Sequence, residues 1–537
     1  MNEVPSRPVG HRLWFPIGVG LLVAGALALV RLQPELENNL KAWATSAILL
    51  LGLALVILWF AFLSRMRWRW RLGVLAVVAL GVLGARQFLR VDGTVDGTGL
   101  PRLVLKGTPD RSGSRVASAS APAPDSNKGA VSAVVTHPLE AVPPGLVNTP
   151  QFMGPNRDGV LRGSHLARDW ATTPPRQLWR QPIGGGWSAF AVVGARAFTQ
   201  EQRGEDEWVS CYEVLTGRLI WAQTNRVRFF QWQGGEGPRT TPTVDRDRVF
   251  ATGGTGILDC LEAGTGRRVW TRDVLGENGL PNLTWGVGAS PLVFDDTVVV
   301  SGGATHGSTV LAYHSETGKP LWQAGSDKAS YASPVLATVA GRRLVLSVNA
   351  ASLTGHDPAT GAVQLDVPWG RDNWPKASQP VALEGDRLFL SAGYGVGCVM
   401  FQVKAEADGR FSAEELWRNK MMKTQFNSAG LRDGFLYGLD DGLLACVDAA
   451  TGKRQWKDGR YGSGQTLIVD DLVLIQSEPG PVVLASATPE SFQELGRLAA
   501  LTSKTWNFPT LAGRYLLVRN DVEAVCYELP VTSASAR

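Results

Sequence analysis

The chain has 537 residues, 61 of them glycine and 19 tryptophan, with only 19% charged. That length exceeds one ordinary domain unless a repeat array absorbs it, and the Gly- and Trp-rich make-up excludes a mainly helical protein in favour of an all-β chain full of tight turns. The net charge of +5 is small for the length and is concentrated by the segment SRMRWRWR (64–71), so composition speaks against nucleic-acid binding.

Residues 1–90 read as a transmembrane anchor of about three helices, with apolar runs at 13–30, 42–63 and 72–89. The second is uncharged over its whole length, as a span requires; the third is clean only to Gly84 and crosses only if Arg86 snorkels. A cleavable signal peptide does not fit, because a second, longer apolar run follows the first. Six basic residues (Arg7, Arg12, Arg65, Arg67, Arg69, Arg71) lie on one side of three spans and four (Arg31, Lys41, Arg86, Arg90) on the other. The positive-inside rule then keeps the N-terminus in the cytoplasm and puts everything beyond residue 90 outside it. If the third run does not cross, the remainder is cytoplasmic. Residues 91–148, with GSRVASASAPAPDSNKGA at 113–130, have the composition of a flexible Pro/Ser/Ala/Gly-rich linker.

From residue 149 to 530 the chain repeats itself, leaving a short tail at 531–537. An eleven-residue frame recurs as CYEVLTGRLIW (211–221), CLEAGTGRRVW (260–270), AYHSETGKPLW (312–322), GHDPATGAVQL (355–365) and CVDAATGKRQW (446–456). Two strands joined at a Thr-Gly turn explain it: Gly217, Gly266, Gly318, Gly361 and Gly452 supply positive φ, and Trp221, Trp270, Trp322 and Trp456 are flat rings that fill the gap between sheets. Between these frames lie segments such as PRTTPTVDRDRVFATG (238–253) and GASPLVFDDTVVVSGG (288–303), each a short strand, a turn and a hydrophobic strand. They recur eight times at a period of roughly 45 residues, the period of a β-propeller blade. RQLWRQP (176–182) is an outer strand with no inner strands before it, and 507–529 supplies three strands with no outer strand after them. Together they complete one blade, which predicts a closed eight-bladed propeller.

The Ala-x-Asp-x-x-Thr-Gly-x-x-x-Trp frame resembles the tryptophan-docking repeat of the PQQ-like β-propeller superfamily, and QFMGPNRDGVLRG (151–163) resembles the opening of membrane-anchored bacterial proteins of that kind. The resemblance implies a bacterial inner-membrane protein with its propeller in the periplasm. It also implies two functional classes: non-catalytic scaffolds and quinoprotein oxidoreductases that hold PQQ with calcium. In the latter an adjacent Cys-Cys pair typically covers the cofactor, whereas no two cysteines here are adjacent. Cys211, Cys260, Cys398, Cys446 and Cys526 occupy comparable strand phases in different blades, too far apart for disulfides, and read as small buried hydrophobes. No haem, zinc or nucleophile-elbow motif is present, and no metal ligands are assigned.

One constellation stands out. Segments just before the innermost strands carry cations, namely Arg239, Lys328, Lys376, Lys420, Lys423 and Lys504, accompanied by Trp187, Trp285, Trp374 and Trp506. In a propeller these segments converge on one channel mouth, which predicts a positive, aromatic-walled funnel for an anionic small molecule or a protein partner. The leading expectation is therefore a membrane-anchored, non-catalytic binding or scaffolding propeller, with a membrane-bound PQQ-dependent oxidoreductase as the alternative.

Overall fold

A computed structural model describes residues 14–33, 36–64, 66–107, 142–303, 305, 307–371 and 374–532. The chain divides into two compact units, Met1–Pro109 and Asp110–Arg537. Most of the expected linker lies outside the described residues.

The first unit contains helices at Trp14–Leu32 and Asn38–Leu58, a π-helical extension at Trp59–Leu63, and a helix at Trp68–Phe88. All three helices are long and apolar enough to cross a membrane. The third begins four residues earlier than the apolar run predicts, taking in Arg69 and Arg71. Arg71 accounts for this: its guanidinium donates to Met66 O (2.9 Å), Ala61 O (3.2 Å) and Ser64 O, satisfying carbonyls left over where the second helix ends. The start of the predicted linker is structured, because Leu89–Thr94 pairs antiparallel with Pro101–Leu105. Trp43 near the start of the second helix donates its indole N–H to Thr98 O in that hairpin (2.7 Å). The hairpin that follows the third helix therefore lies against the start of the second.

The second unit is an eight-bladed β-propeller of four-stranded antiparallel sheets. Blades 1 to 8 are numbered by their innermost strands: Ala191–Val193, Thr243–Asp245, Leu292–Phe294, Val335–Val339, Val381–Leu383, Gly430–Arg432, Gln465–Val469 and Thr510–Ala512. Blade 8 closes the ring as the sequence predicts: Arg176–Pro182 pairs with Glu523–Glu528, with Trp179 opposite Cys526. Blade 7 gains a fifth strand, Val160–Leu161, added parallel to its inner edge.

The repeat frame is a device between blades. The indole N–H of Trp179, Trp221, Trp270, Trp322, Trp417 and Trp456 donates to a carbonyl of the next blade at 2.7–3.2 Å, as in Trp179 to Val214 O and Trp456 to Thr488 O. In five of these pairs the next blade's turn glycine lies under the ring. A Cβ on Gly217, Gly266, Gly318, Gly361 or Gly452 would approach the indole to 2.5–2.7 Å, and each has φ of 66–75°. Glycine is thus required twice at each of these turns, for its backbone and for its missing side chain.

Two registers depart from expectation. Cys211, Cys260, Cys446 and Cys526 each face the docked Trp across the strand pair, but Cys398 lies two residues off that phase, opposite Asn419, and Met400 faces Trp417 instead. All five cysteines are buried and unpaired, and burial raises every thiol pKa. In blade 7 the Trp register falls on Gly496, and Trp170, from the segment preceding blade 8's outer strand, lies over it. Trp170 is 4% exposed, so Trp170→Ala should cost about 3 kcal/mol or more. A melting temperature unchanged by that substitution would show that the blade 7–8 junction packs without it.

Candidate functional site at the channel mouth

The segments preceding the innermost strands meet as a closed ring of hydrogen bonds. Asn507 Nδ2 of blade 8 donates to Ser188 O (2.7 Å), Ala189 N to Thr241 Oγ1 (3.1 Å), Thr241 N to Ser290 Oγ (2.9 Å) and Ser290 N to Ser333 Oγ (2.9 Å). Lys376 N donates to Ser330 Oγ (3.0 Å) and Gln379 N to Ser428 Oγ (3.0 Å). Gln465 Nε2 then bridges Phe426 O and Trp506 O at 2.9 Å, returning to blade 8. The hydroxyls at Thr241, Ser290 and Ser333 each precede a proline, and the hydroxyl accepts the amide of its counterpart in the blade before. The Thr-Pro and Ser-Pro pairs were visible in the sequence. Their circumferential bonding was not, because each donor and acceptor pair is separated by about one repeat.

Of the cations expected here, Lys376 and Lys423 are buried, Arg239, Lys328 and Lys504 are half-buried, and Lys420 is exposed. Arg239 donates to Trp285 O (3.2 Å) and, within its own Gly-rich loop, to Gly235 O (2.8 Å), Glu236 O (2.8 Å) and Gly237 O (2.9 Å). Its guanidinium also lies over Phe229, 5.1 Å from the ring centre, and burial lowers its pKa to about 10. Lys376 is 1% exposed, with its ammonium on Ala350 O and Arg371 O. Lys423 pairs with buried Asp440 (2.8 Å), a carboxylate that also holds Arg454 (3.3 Å) and Lys457 (2.6 Å). Lys328 is half-buried, and its carbonyl receives Ala350 N (2.9 Å). The physical reason is desolvation: a cation buried at a repeat junction is stabilised by acceptors built around it. GGEGPR (234–239) carried that signal, since a glycine-rich turn before an arginine can aim several carbonyls at it.

Aromatic side chains dominate what remains. Trp187 and Trp506 contact each other with ring centres 4.8 Å apart, Phe426 joins at 5.2 Å from Trp506, and the Lys504 ammonium lies 4.2 Å from the Trp506 ring and 5.4 Å from Trp187. Trp506 Nε1 donates to Glu478 (2.7 Å), an acid that sequence reasoning missed. Further round, Trp285 packs against Tyr331 (5.7 Å) and Trp374 stacks on Tyr394 (5.3 Å, 2°). All seven of these rings are half-buried.

Beside Arg239 sits Glu207, 2% exposed, whose carboxylate accepts Gly254 N (3.0 Å). Burial raises its pKa to about 7, with Asp259 adding to the shift and Arg239 opposing it. The folded state therefore holds this proton more tightly than the unfolded chain. The resulting stability is present at low pH and is lost as pH rises from about 4.5 to about 7, on the order of 3 kcal/mol in total. Glu207→Gln should flatten the melting temperature over that window; an identical pH profile would locate the titration elsewhere.

These features define the class: an eight-bladed β-propeller in a chain whose N-terminal helices are suited to a membrane. The family model described as "Outer membrane protein assembly factor BamB" matches residues 205–458. No curated protein matches. A europium-containing methanol dehydrogenase superposes with a TM-score of 0.53 at 13% identity, covering 70% of this chain and 90% of that one. The quinohemoprotein alcohol dehydrogenase of Comamonas testosteroni gives 0.53 at 12% identity, covering 73% and 82%. BamB from Moraxella catarrhalis gives 0.49 at 15%, covering 66% and 100%. At these identities the two likenesses with a TM-score of 0.53 establish the fold alone.

The cysteines lie singly in separate strand pairs, and among the described residues no three Asp, Glu, His or Cys side chains form a metal-holding group. Residues 149–161 also run along the inner strands, where Thr149 bridges Val192, Val244 N bonds Pro150 O and Val160 pairs with Ile468.

Proposed function

We propose that the protein is a non-catalytic, membrane-anchored propeller that binds a protein partner at its aromatic channel mouth, with the propeller on the periplasmic side of a bacterial inner membrane. The observation that carries this reading is the mouth itself. Three of its cations, Arg239, Lys376 and Lys423, are held by carbonyls and Asp440, while half-buried indoles ring the opening, a composition suited to protein contacts rather than to a charged small ligand. The assembly-factor description of the matching family model supports a scaffolding role. The basic residues flanking the three helices support the location.

Trp187→Ala combined with Trp506→Ala should abolish capture of a partner by the full-length protein in native membranes while leaving the protein folded. Retention of the same partner by the double variant would remove the mouth from the interface. Titration with PQQ and Ca²⁺ should give no saturable absorbance change; a saturable one would favour the oxidoreductase alternative. An alkaline phosphatase fused after residue 100 should be active, and an active cytoplasmic reporter at the same point would reverse the orientation.

A further inference from the structure

The segment 149–161 engages five of the eight blades from within the channel. Thr149 bridges Val192 of blade 1 and its Oγ1 donates to Leu511 O of blade 8 (2.9 Å). Val244 N of blade 2 donates to Pro150 O (2.8 Å), Arg157 reaches blade 3, and Val160 pairs with Ile468 of blade 7. Opposite blades 4, 5 and 6 the segment leaves a cavity of about 220 Å³, bounded by Asn156, Arg157 and Asp158 on one side and by Val335–Thr338, Gln379–Ala382 and Ser428 on the other.

Two side chains on this wall are buried and incompletely satisfied. Arg157 is 2% exposed and donates Nη1 to Pro291 O (2.8 Å) and Gln151 Oε1 (3.1 Å) and Nη2 to Ser290 O (3.0 Å), while its Nε has no partner. Three of its five N–H groups are used, and the remaining two belong to Nε and Nη2, the edge that grips a carboxylate with two parallel bonds. Among the described residues no carboxylate pairs with Arg157, although burial lowers its pKa only to about 9 and it stays cationic at neutral pH. A buried charge without a counter-charge is costly, and an anion in the adjoining cavity would offset that cost. Gln379 is 3% exposed; its Nε2 donates to Ser333 O (3.4 Å) and its Oε1 has no partner, so that side of the wall calls for a donor. Asp158, half-buried, already accepts Val160 N (3.0 Å) and faces the charge of Arg162, and it too would favour a donor on the ligand.

We propose that this channel cavity binds a small carboxylate bearing a hydrogen-bond donor, an amino acid or hydroxy acid, with Arg157 on the carboxylate and Gln379 on the donor. The volume suits a molecule of a few non-hydrogen atoms. The site uses none of the cations or aromatic rings of the mouth and stands or falls independently of the reading above.

The test is isothermal titration of the full-length protein in detergent with L-serine and L-lactate, alongside their methyl esters and propionate. At least one of the two acids should bind saturably and raise the melting temperature. Its ester should bind at least tenfold more weakly for want of the charge, and propionate more weakly for want of the donor. Arg157→Gln should abolish binding. Should that variant fail to fold, Gln379→Leu should weaken the acid at least tenfold while leaving propionate unchanged. Neither acid binding the wild type, equal binding by acid and ester, or unaltered binding in the folded variants would overturn the proposal.

Discussion

Deletion of Asn507–Arg537 should turn a monodisperse protein into an aggregating one. The segment supplies three strands of blade 8, and its last, Glu523–Glu528, is the partner of Arg176–Pro182. Removing it would strip the inner strands from that outer strand and expose the flank of blade 7, two open faces in a fold that otherwise has none. The seam is also locked electrostatically. Arg519, 1% exposed, donates to Gly184 O (2.7 Å) and Gln200 O (2.7 Å) of blade 1 and sits in the field of buried Glu201. Size-exclusion chromatography in detergent reads the outcome, and a truncated protein that remains monomeric with its original melting temperature would refute closure through blade 8.

Trp221→Ala should cost about 3–5 kcal/mol, the range for deleting a fully buried large aromatic. The ring is 1% exposed, its N–H donates to Ala263 O (3.1 Å), and it covers Gly266. Trp221→Phe should recover part of the loss, because a smaller ring still fills most of the gap but leaves the carbonyl without its donor. Gly266→Ala attacks the same contact from the other side. A Cβ there would come within 2.5 Å of the indole at a backbone φ of 73°, so the substitution should destabilise even though it only adds a methyl group. Denaturant midpoints measure all three. A negligible loss in both Trp221→Ala and Gly266→Ala would mean that the repeated frame does not hold the blades together.

The number of blades, the closing strand and the role of the Thr-Gly-Trp frame were legible from residues 176–529 alone. Each depends on local pattern: strand alternation, a positive-φ turn, and one large ring recurring at a fixed offset. Trp417 escaped that pattern because its hairpin is longer, with Gly397–Ala405 and Phe411–Asn419 joined without a Thr-Gly pair. Gly496 escaped it because its ring, Trp170, comes from more than 300 residues away in the chain. The recurrence of cations before inner strands, at Arg239, Lys328, Lys376, Lys423 and Lys504, was likewise written in the chain. What became of their charge was decided by tertiary structure. Whether a lysine faces water or a carbonyl depends on neighbours supplied by other repeats, as with Ala350 O for Lys376 and Asp440 for Lys423. The same holds for Arg157: its segment QFMGPNRDGVLRG (151–163) carries a resemblance, but nothing in it shows which carbonyls meet the guanidinium until the propeller closes around it. A repeat sequence determines its own sheets because their contacts are local; the chemistry of the channel is set by side chains brought together from different blades, and only the closed ring places them.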